Sequence, residues 1–471
     1  MPAPSKRKGQ RTKASQWFNW TDERSLLLCA FTLFVLLFGG GGTPAETAET
    51  IVLVGTIFIL AWVWVVRGWK DYGVGRAVSA DYLLALPVLA LILLYCLQAV
   101  PLPIGLWALL PGRQSIQLNL QTYADLPWLP LSIAPQETLI SVLSFLPPLA
   151  GYLLAVNARD SSWRMLGHTL LIFGLLTIAL QLLQTTGGFF PYGQTQIDFT
   201  AGFQANRNAQ GDILMMLMAL LASRPRGELK ARLYAQQQIA LALCILVAAI
   251  FTGSRAGIFI TAVPLVWLLW SVAQELGFSI RSILLSVTVL VVSGAGLFIV
   301  LMKSSVPFAN VMSRFGIGSD GRTNYIWPDS QYAVEQFWPL GSGAGTFMTA
   351  FRLFETQESI IHSAANRAHN EALEVMIESG LPGVVLVAII VLAVFWRAAG
   401  EIVMGASVAA RRRAVAVLMV SALLVLHSAV DYPMRSMSIA TLWAVMLGML
   451  VADRRRRLSP AAERLEKDDR S

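Results

Sequence analysis

Long apolar runs separated by short polar segments constrain the fold of this chain more than any other feature. Hydrophobic residues make up 55% of the 471 residues and charged residues only 14%, whereas a soluble domain carries about a quarter charged residues. This balance excludes a soluble globular enzyme and a disordered chain. A membrane crossing requires about 20 largely apolar residues. The predicted spans are 25–41, 50–66, 81–100, 137–156, 165–184, 209–222, 236–252, 256–273, 282–302, 382–396, 414–430 and 436–452.

We therefore predict an all-α, polytopic integral membrane protein with about twelve transmembrane helices. The basic segment 1–24 precedes a run that lacks a small-residue cleavage site, so the first span is expected to be retained. The stretch 101–112 is too short to cross and is predicted to be interfacial or re-entrant. Three cysteines lie in separate apolar runs without paired spacing, which predicts neither a disulfide framework nor a zinc site. They are Cys29, Cys96 and Cys244.

The distribution of basic residues predicts the orientation of the spans. With twelve spans, 27 of the 36 Lys and Arg residues fall on the side of the N-terminus and 9 on the other side. The positive-inside rule then puts both termini in the cytoplasm, and it accounts for the net charge of +8 without nucleic-acid binding. The predicted regions are a basic tail 1–24, nine spans within 25–302, a long outer loop with an amphipathic helix at 303–381, three spans within 382–452, and a basic tail 453–471.

Nine basic residues face outward in this topology. Ordinary loop charge is the interpretation of Arg113, Lys303, Arg314 and Arg352. Arg207, Arg255 and Arg435 differ, because each lies in a short polar connection at the outer end of a span. A planar guanidinium is well suited to phosphate, and snorkelling of an arginine to the membrane boundary is the alternative.

The long outer loop contains a glycine-rich stretch, Gly341–Phe347. A phosphate-binding P-loop would end in Gly-Lys-Ser/Thr and follow a strand, and neither is present in this sequence context. We predict instead a turn whose backbone lies close to another element.

The end of the outer loop is predicted to be an amphipathic helix over 369–381. Its acidic face carries Glu371, Glu374 and Glu378, and its apolar face carries His369, Leu373, Met376 and Gly380. A helix N-terminus disfavours a protonated imidazole, so a neutral His369 could accept a proton from a hydroxyl; a structural histidine is the alternative. The other outer histidines, His362 and His427, lie on separate elements, and no metal site is predicted.

Several motifs together resemble those of the O-antigen ligase and polymerase superfamily between about residues 200 and 440. They are Phe203–Asn208, Thr252–Gly257, Asp320–Arg322 with Trp327, Gly341–Phe347, His369-Asn370 with Gly380–Val384, and His427–Pro433.

The resemblance implies a polytopic glycosyltransferase with a GT-C-like helical fold and one long periplasmic loop. It implies a bacterial inner-membrane location, an undecaprenyl-diphosphate-linked donor, an inverting transfer, and neither a cofactor nor a metal. The residues at matching positions are His369 as the catalytic residue and Arg207, Arg255 and Arg322 as diphosphate contacts. Asn206, Asn370 and Arg435 are expected to be further substrate-binding residues.

The motifs leave the acceptor open. An O-antigen ligase transfers a glycan to lipid A–core, a polymerase extends an O-antigen or exopolysaccharide chain, and a protein O-oligosaccharyltransferase modifies Ser or Thr. A lipid-linked oligosaccharide flippase is the alternative from another class, although transporters place polar sites near the bilayer midplane and these motifs lie at the outer boundary. The partners expected are the lipid-linked donor, the glycan or lipid A–core acceptor, membrane lipid and polysaccharide-assembly proteins.

Overall fold

The computed structural model of this chain is mostly helical. It describes residues 23–41, 46–67, 78–114, 116–117, 126–157, 160–192, 200–227, 229–279, 281, 322–357, 360 and 365–458. The predicted span 282–302, Lys303, Arg314, His362, Asp320 and most of both tails lie outside the described residues.

The described helices follow one another with a single short strand pair between them. They are α1 (Glu23–Phe38), α2 (Glu46–Arg67), α3 (Tyr82–Gln98), α4 (Ile104–Trp107), α5 (Pro135–Leu143), α6 (Leu146–Val156), α7 (Asp160–Gln184), α8 (Arg207–Ser223), α9 (Ala231–Phe251), α10 (Arg255–Glu275), α11 (Trp327–Phe337), α12 (Phe347–Phe354), α13 (Glu371–Met404), α14 (Val408–Ser428) and α15 (Met437–Leu458). Strands β1 (Pro101–Pro103) and β2 (Trp128–Pro130) pair antiparallel.

Eleven of the twelve predicted spans overlap one of these helices. Within the described residues, six helical segments are both long enough and apolar enough to cross a membrane. They are Pro135–Val156, Ser162–Gln184, Ala231–Phe251, Arg255–Glu275, Glu371–Met404 and Met437–Leu458. The structure is thus that of a mostly helical chain with several membrane-spanning candidates; the count of twelve crossings and their orientation stay predictions.

The centre of the bundle is formed by α8 and α15. Almost every side chain of α8 from Gln210 onward is buried, and 89% of the apolar window of α15 is buried. Small residues permit α8 to pack closely on its neighbour α10, as is common between helices in membranes. A Cβ atom added to Gly211 of α8 would lie 2.6 Å from the Cα atom of Gly257 in α10.

The interpretation of Arg113 as ordinary loop charge is wrong. Its side chain is fully buried, and its guanidinium donates hydrogen bonds to the carbonyl oxygens of Pro111, Leu131 and Gly341 at 2.7–2.8 Å. Desolvation by burial lowers the pKa of Arg113 to about 10. This arginine joins the segment after α4 to the glycine-rich stretch, and sequence alone gave no indication of that role.

A kink in α13 divides the helix into two parts at Gly380. This residue has φ 56° and ψ −153°, a conformation that is essentially restricted to glycine. The break frees the carbonyl groups of Ile377 and Glu378 from the helical pattern. The glycine-rich stretch satisfies them, because Ser342 N–H donates to Ile377 O at 2.8 Å and Gly343 N–H donates to Glu378 O at 2.9 Å.

The predicted close approach of this glycine-rich stretch is therefore observed. A Cβ atom on Gly341 would lie 2.5 Å from the carbonyl oxygen of Glu378. The Gln98 side chain at the end of α3 completes the junction, since its amide donates to Glu378 O at 3.1 Å and its oxygen accepts from Ala344 N–H at 2.9 Å. The stretch therefore holds the part of α13 just before its kink in place.

Candidate active site

His369 lies immediately before α13 rather than on it. The helix begins at Glu371, and the Asn370 side chain caps it by accepting from Leu373 N–H at 3.1 Å. His369 has φ 50°, and no other non-glycine residue in the described part of the chain has a positive φ. The prediction that His369 shares a helical face with Leu373 and Met376 is therefore wrong. The left-handed backbone turns the imidazole away from the helix axis and toward the segment after α14.

The imidazole of His369 pairs with Asp431. Nδ1 lies 3.1 Å from Asp431 Oδ1, and the ring centroid lies 4.9 Å from that of Tyr432. With Asp431 ionised, the assigned tautomer has Nδ1–H donating to the carboxylate, which leaves Nε2 with a lone pair. The His369 side chain is 20% exposed and that of Asp431 only 4%. The imidazole is accessible, and its partner is shielded.

Asp431 is held on both carboxylate oxygens. Asn208 Nδ2 donates to Oδ2 in a short hydrogen bond, while His369 occupies Oδ1. Burial by itself would raise the pKa of Asp431, but the hydrogen bond with His369 and the nearby His369, His427 and Arg322 hold that pKa below its usual range. Asp431 is thus an ionised hydrogen-bond acceptor at neutral pH.

The N-termini of α8 and α10 meet at this cluster. Asn206 caps α8 by accepting from Asn208 N–H at 2.8 Å, and its Nδ2 donates to Tyr432 Oη at 3.1 Å. Ser254 caps α10 by accepting from Gly257 N–H at 3.0 Å, and its hydroxyl donates to Asn208 Oδ1 at 2.7 Å. Together with α13, three helix N-termini point their partial positive charge toward one locality, which favours an anion there.

Arg207 and Arg255 occupy the first helical positions after these caps. Arg207 is partly buried and Arg255 is exposed. Arg322 lies in the turn before α11, and its Nη1 donates to Val430 O at 2.8 Å. Arg207 is next to Asn208, which bonds to Asp431, and Arg255 is next to Ser254, which bonds to Asn208. Arg322 contacts the residue just before Asp431. All three predicted diphosphate contacts are therefore close in the chain, or by hydrogen bonds, to the His369–Asp431 pair. Asn206 and Asn370 were predicted to bind substrate. In the structure the side-chain oxygen of each caps a helix.

Arg435, predicted to bind substrate, lies against two glutamates of α13. Its Nη2 lies 2.7 Å from Glu378 Oε2 and 3.2 Å from Glu374 Oε2, and both glutamate side chains are fully buried. Burial would lower the pKa of Arg435, but these two carboxylates raise it far more. The guanidinium is bound within an internal ion-pair cluster, so we do not retain Arg435 among the proposed substrate-binding residues.

The three glutamates share one face of α13 as predicted, but that face is turned into the protein. Glu371 Oε1 accepts from Met434 N–H at 2.7 Å, and Oε2 accepts from the Ser428 hydroxyl in a short hydrogen bond. Glu374 accepts from Ala368 N–H at 3.0 Å, one residue before the histidine. The acidic face therefore fastens the His369 segment to the connection between α14 and α15.

Sequence reasoning missed the polar residues that support His369. Asp431, Asn208 and Asp212 were not predicted as site residues, although Asp212 lies among apolar residues of a span and an ionisable residue there is a functional candidate by default. Asp212 Oδ1 is 2.8 Å from His427 Nδ1, and both side chains are 1% exposed. The spacing Asn208/Asp212 and His427/Asp431, four residues in each case, was the available signal. The described residues contain no group of three or more His, Cys, Asp or Glu side chains arranged to hold a metal ion.

Comparison with known proteins agrees with the motifs. No curated protein sequence matches the chain. Residues 240–388 match the family model described as O-antigen ligase, Wzy_C. The matched region contains the α9–α10 turn, the glycine-rich stretch, His369 and the kink, while the Asn206 and Asp431 segments lie outside it. This match confirms the resemblance of the chain to the O-antigen ligase and polymerase superfamily, a family that implies a membrane glycosyltransferase-like function.

Proposed function

We propose that this protein is a membrane glycosyltransferase that moves an undecaprenyl-diphosphate-linked saccharide onto a sugar hydroxyl. The transfer takes place on the periplasmic side of the bacterial inner membrane, with both termini in the cytoplasm. The observation that carries the proposal is the His369–Asp431 pair, 3.1 Å apart, among three helix N-termini and beside Arg207, Arg255 and Arg322. The family match supports the reaction class.

His369 acts as the general base in this proposal. Asp431 accepts the Nδ1–H bond and fixes the tautomer, so that Nε2 faces the acceptor hydroxyl and removes its proton during attack. The acceptor oxygen forms a bond to the anomeric carbon, and the bond from that carbon to the diphosphate oxygen breaks with its electron pair. Attack from the face opposite the leaving group inverts the configuration. Asp431 then stabilises the imidazolium.

The arginines and helix N-termini serve the leaving group. Undecaprenyl diphosphate gains negative charge as the glycosidic bond breaks, and guanidinium groups stabilise that charge through paired hydrogen bonds. Arg207 and Arg255 each begin a helix, so their charge adds to the partial charge of that helix end. These groups supply the neutralisation that a divalent cation provides in other enzymes, and we propose a metal-independent transfer.

The acceptor is proposed at the level of a sugar hydroxyl, as in an O-antigen ligase or an O-antigen or exopolysaccharide polymerase. Surface glycan from a deletion strain separates these two. A lost polymerase leaves acceptors capped with single repeats, and a lost ligase leaves long chains on the lipid carrier. Glycoprotein that loses its glycan instead would assign the protein O-oligosaccharyltransferase activity.

The proposal is tested with purified protein, a defined lipid-diphosphate-linked donor and a glycan acceptor, without any ion gradient. His369→Ala is expected to lower the transfer rate by on the order of 10²–10⁴, the usual contribution of a general base. His168→Ala in α7 is the matched control. His168 lies about 24 Å along that helix from Gln184, whose amide donates to Gly202 O just before α8. Wild-type rates for His369→Ala would reject the role of His369. Absence of product from the wild type would favour a flippase, and loss of product in EDTA would reject metal independence.

A further inference from the structure

A second histidine, which is buried, lies near the proposed base, and the mechanism above does not use it. His427 is on the last turn of α14 and is 2% exposed. Its Nδ1 lies 2.8 Å from Oδ1 of Asp212, a residue of α8 that is 1% exposed. A buried ionisable pair is costly to maintain unless each member is compensated. Its position in the bundle therefore calls for a reason beyond packing.

The free side of this histidine points to the carboxylate that holds His369. His427 Nε2 is 4.0 Å from Asp431 Oδ2, and it is buried with no hydrogen-bond partner among the residues that the structure describes. Asp431 Oδ1 is in turn 3.1 Å from His369 Nδ1. Four side chains thus form a row in which carboxylates and imidazoles alternate, from Asp212 inside the bundle to His369 at its accessible end.

The charges along the row favour a protonated His427. Burial opposes a charge on this ring, but the ring lies 2.8 Å from the Asp212 carboxylate and 4.0 Å from that of Asp431. An opposite charge within about 4–6 Å favours the charged form of a histidine. The other groups that act on it are Glu371 of α13 and, through Asp431, Asn208 and Arg322. An imidazolium at this place offsets part of the negative charge of Asp431. A change in the charge of His427 therefore changes the electrostatic potential that acts on His369, because both rings lie beside the same carboxylate.

We propose that His427 is a positioning residue that, held by Asp212, offsets the charge of Asp431 and thereby sets the pH range in which His369 works as a base. This inference rests on the proposed function and names a regulator of the same site. His427 does not touch substrate in this scheme; it acts only through Asp431.

The direction of its effect follows from the charges. The rate falls on the acidic side when His369 becomes protonated, and the positive charge of His427 opposes that protonation. Substitution by a neutral residue of similar length, His427→Gln, removes the opposition. The acid limb of the pH–rate profile should then move to higher pH by on the order of one unit, as expected for one charge removed at short range in a partly buried site. Asp212→Asn, which removes the group that holds His427 charged, should move it in the same direction by less.

The test measures transfer by the reconstituted protein from about pH 5 to 9, the range in which imidazoles titrate. His168→Gln is the control, because it makes the same chemical change outside the row. Folding of each variant is checked by size exclusion and thermal unfolding, and Asp212→Asn reports on the row should His427→Gln fail to fold. An upward shift in the row variants with an unmoved control supports the inference. A lowered rate with an unmoved acid limb overturns it and assigns His427 to packing alone.

The same experiment separates this inference from the proposed function. If the wild type transfers sugar and His369→Ala does not, the proposed function stands whatever His427 does. If the wild type is inactive with every donor, or if His369→Ala keeps full activity, the proposed function fails first and the profile of His427→Gln has no base to report on.

Discussion

The bundle buries an aspartate at each of two ends, and their surroundings differ. Asp81 caps α3, and its carboxylate is bound by Arg397 Nε at 2.7 Å and Arg454 Nη1 at 2.9 Å. We call this the Asp81 end. At the other end, Asp431 is bound by an imidazole and an amide, at 3.1 Å for His369. We call the end that contains Asp431 the site end. Helices α3 and α13 extend from the Asp81 end to the site end, where the Gln98 amide donates to Glu378 O.

The partners of the carboxylate decide what each end is able to do. A guanidinium stays charged at any physiological pH, so the Asp81 pairs join α3, α13 and α15 without a proton to exchange. An imidazole changes its charge near neutral pH, so a carboxylate bound to it belongs to a group that takes and releases protons. The same residue type therefore serves as a clamp at one end and as part of the candidate site at the other.

The largest expected effect comes from weakening the site acid. Asp431→Asn keeps the size of the side chain but removes the charge that fixes the His369 tautomer and stabilises its imidazolium. We expect transfer to fall by on the order of 10²–10⁴, while the thermal unfolding temperature in detergent changes little. A variant that retains more than about a tenth of wild-type transfer would show that Asp431 is a structural acid like Asp81.

The reciprocal change is Asp81→Asn. It leaves Arg397 and Arg454 without their shared counter-charge, and loss of one partner of a buried ion pair costs about 3–5 kcal/mol, less here because the arginines are partly exposed. We expect a clear fall in thermal unfolding temperature and an unchanged transfer rate per folded molecule, determined after quantifying the folded fraction by size exclusion. A lowered rate in fully folded protein would mean that the two ends are coupled.

The positions of most helices, and of several helix ends at the two ends of the bundle, could be predicted from the sequence. Eleven of the predicted apolar runs overlap observed helices, because a membrane helix must supply its own hydrogen bonds and its length follows from the bilayer. The short polar turns placed Arg207 and Arg255 at helix starts. The predicted boundary between the amphipathic helix and the next span, at 381/382, lies close to the observed kink at Gly380.

The pairing of polar side chains between distant helices could not be predicted. Arg435 and Arg255 both lie at the ends of spans in the sequence, yet one is enclosed by Glu374 and Glu378 and the other is exposed. The difference depends on which helix faces meet, and local periodicity holds no information on that. Asp431 and Asp212 were missed for the same reason, because their partners are 62 and 215 residues away.

A smaller effect is expected from Gly380→Ala, because α13 links the two ends across this kink. The substitution puts a side chain into a conformation that costs about 1–3 kcal/mol, and its Cβ atom would overlap the carbonyl oxygen of Pro339. We expect lower thermal stability and reduced transfer together. Gly167→Ala in α7 is the control, since nothing lies within 4 Å of an added Cβ there, and it should stabilise slightly. Equal behaviour of the two variants would show that the kink is not required.

The smallest effect concerns Tyr432, whose ring lies 4.9 Å from that of His369 at a tilt of 55°. Burial, followed by the charge of Asp431, raises the pKa of Tyr432 from 10.0 to about 12. The phenol is neutral in both folded and unfolded chains below about pH 10. Above that pH the unfolded state ionises first, so this contribution to stability is lost as the pH rises toward the folded pKa.

Tyr432→Phe removes the titration and the hydrogen bond from Asn206, which is worth about 1 kcal/mol. The variant should therefore begin slightly less stable at pH 8 and lose less unfolding temperature than the wild type on the way to pH 11. Parallel curves for the two proteins would mean that the phenol ionises as freely in the folded state as in the unfolded chain, and that the ring is not enclosed with Asp431 at the site end.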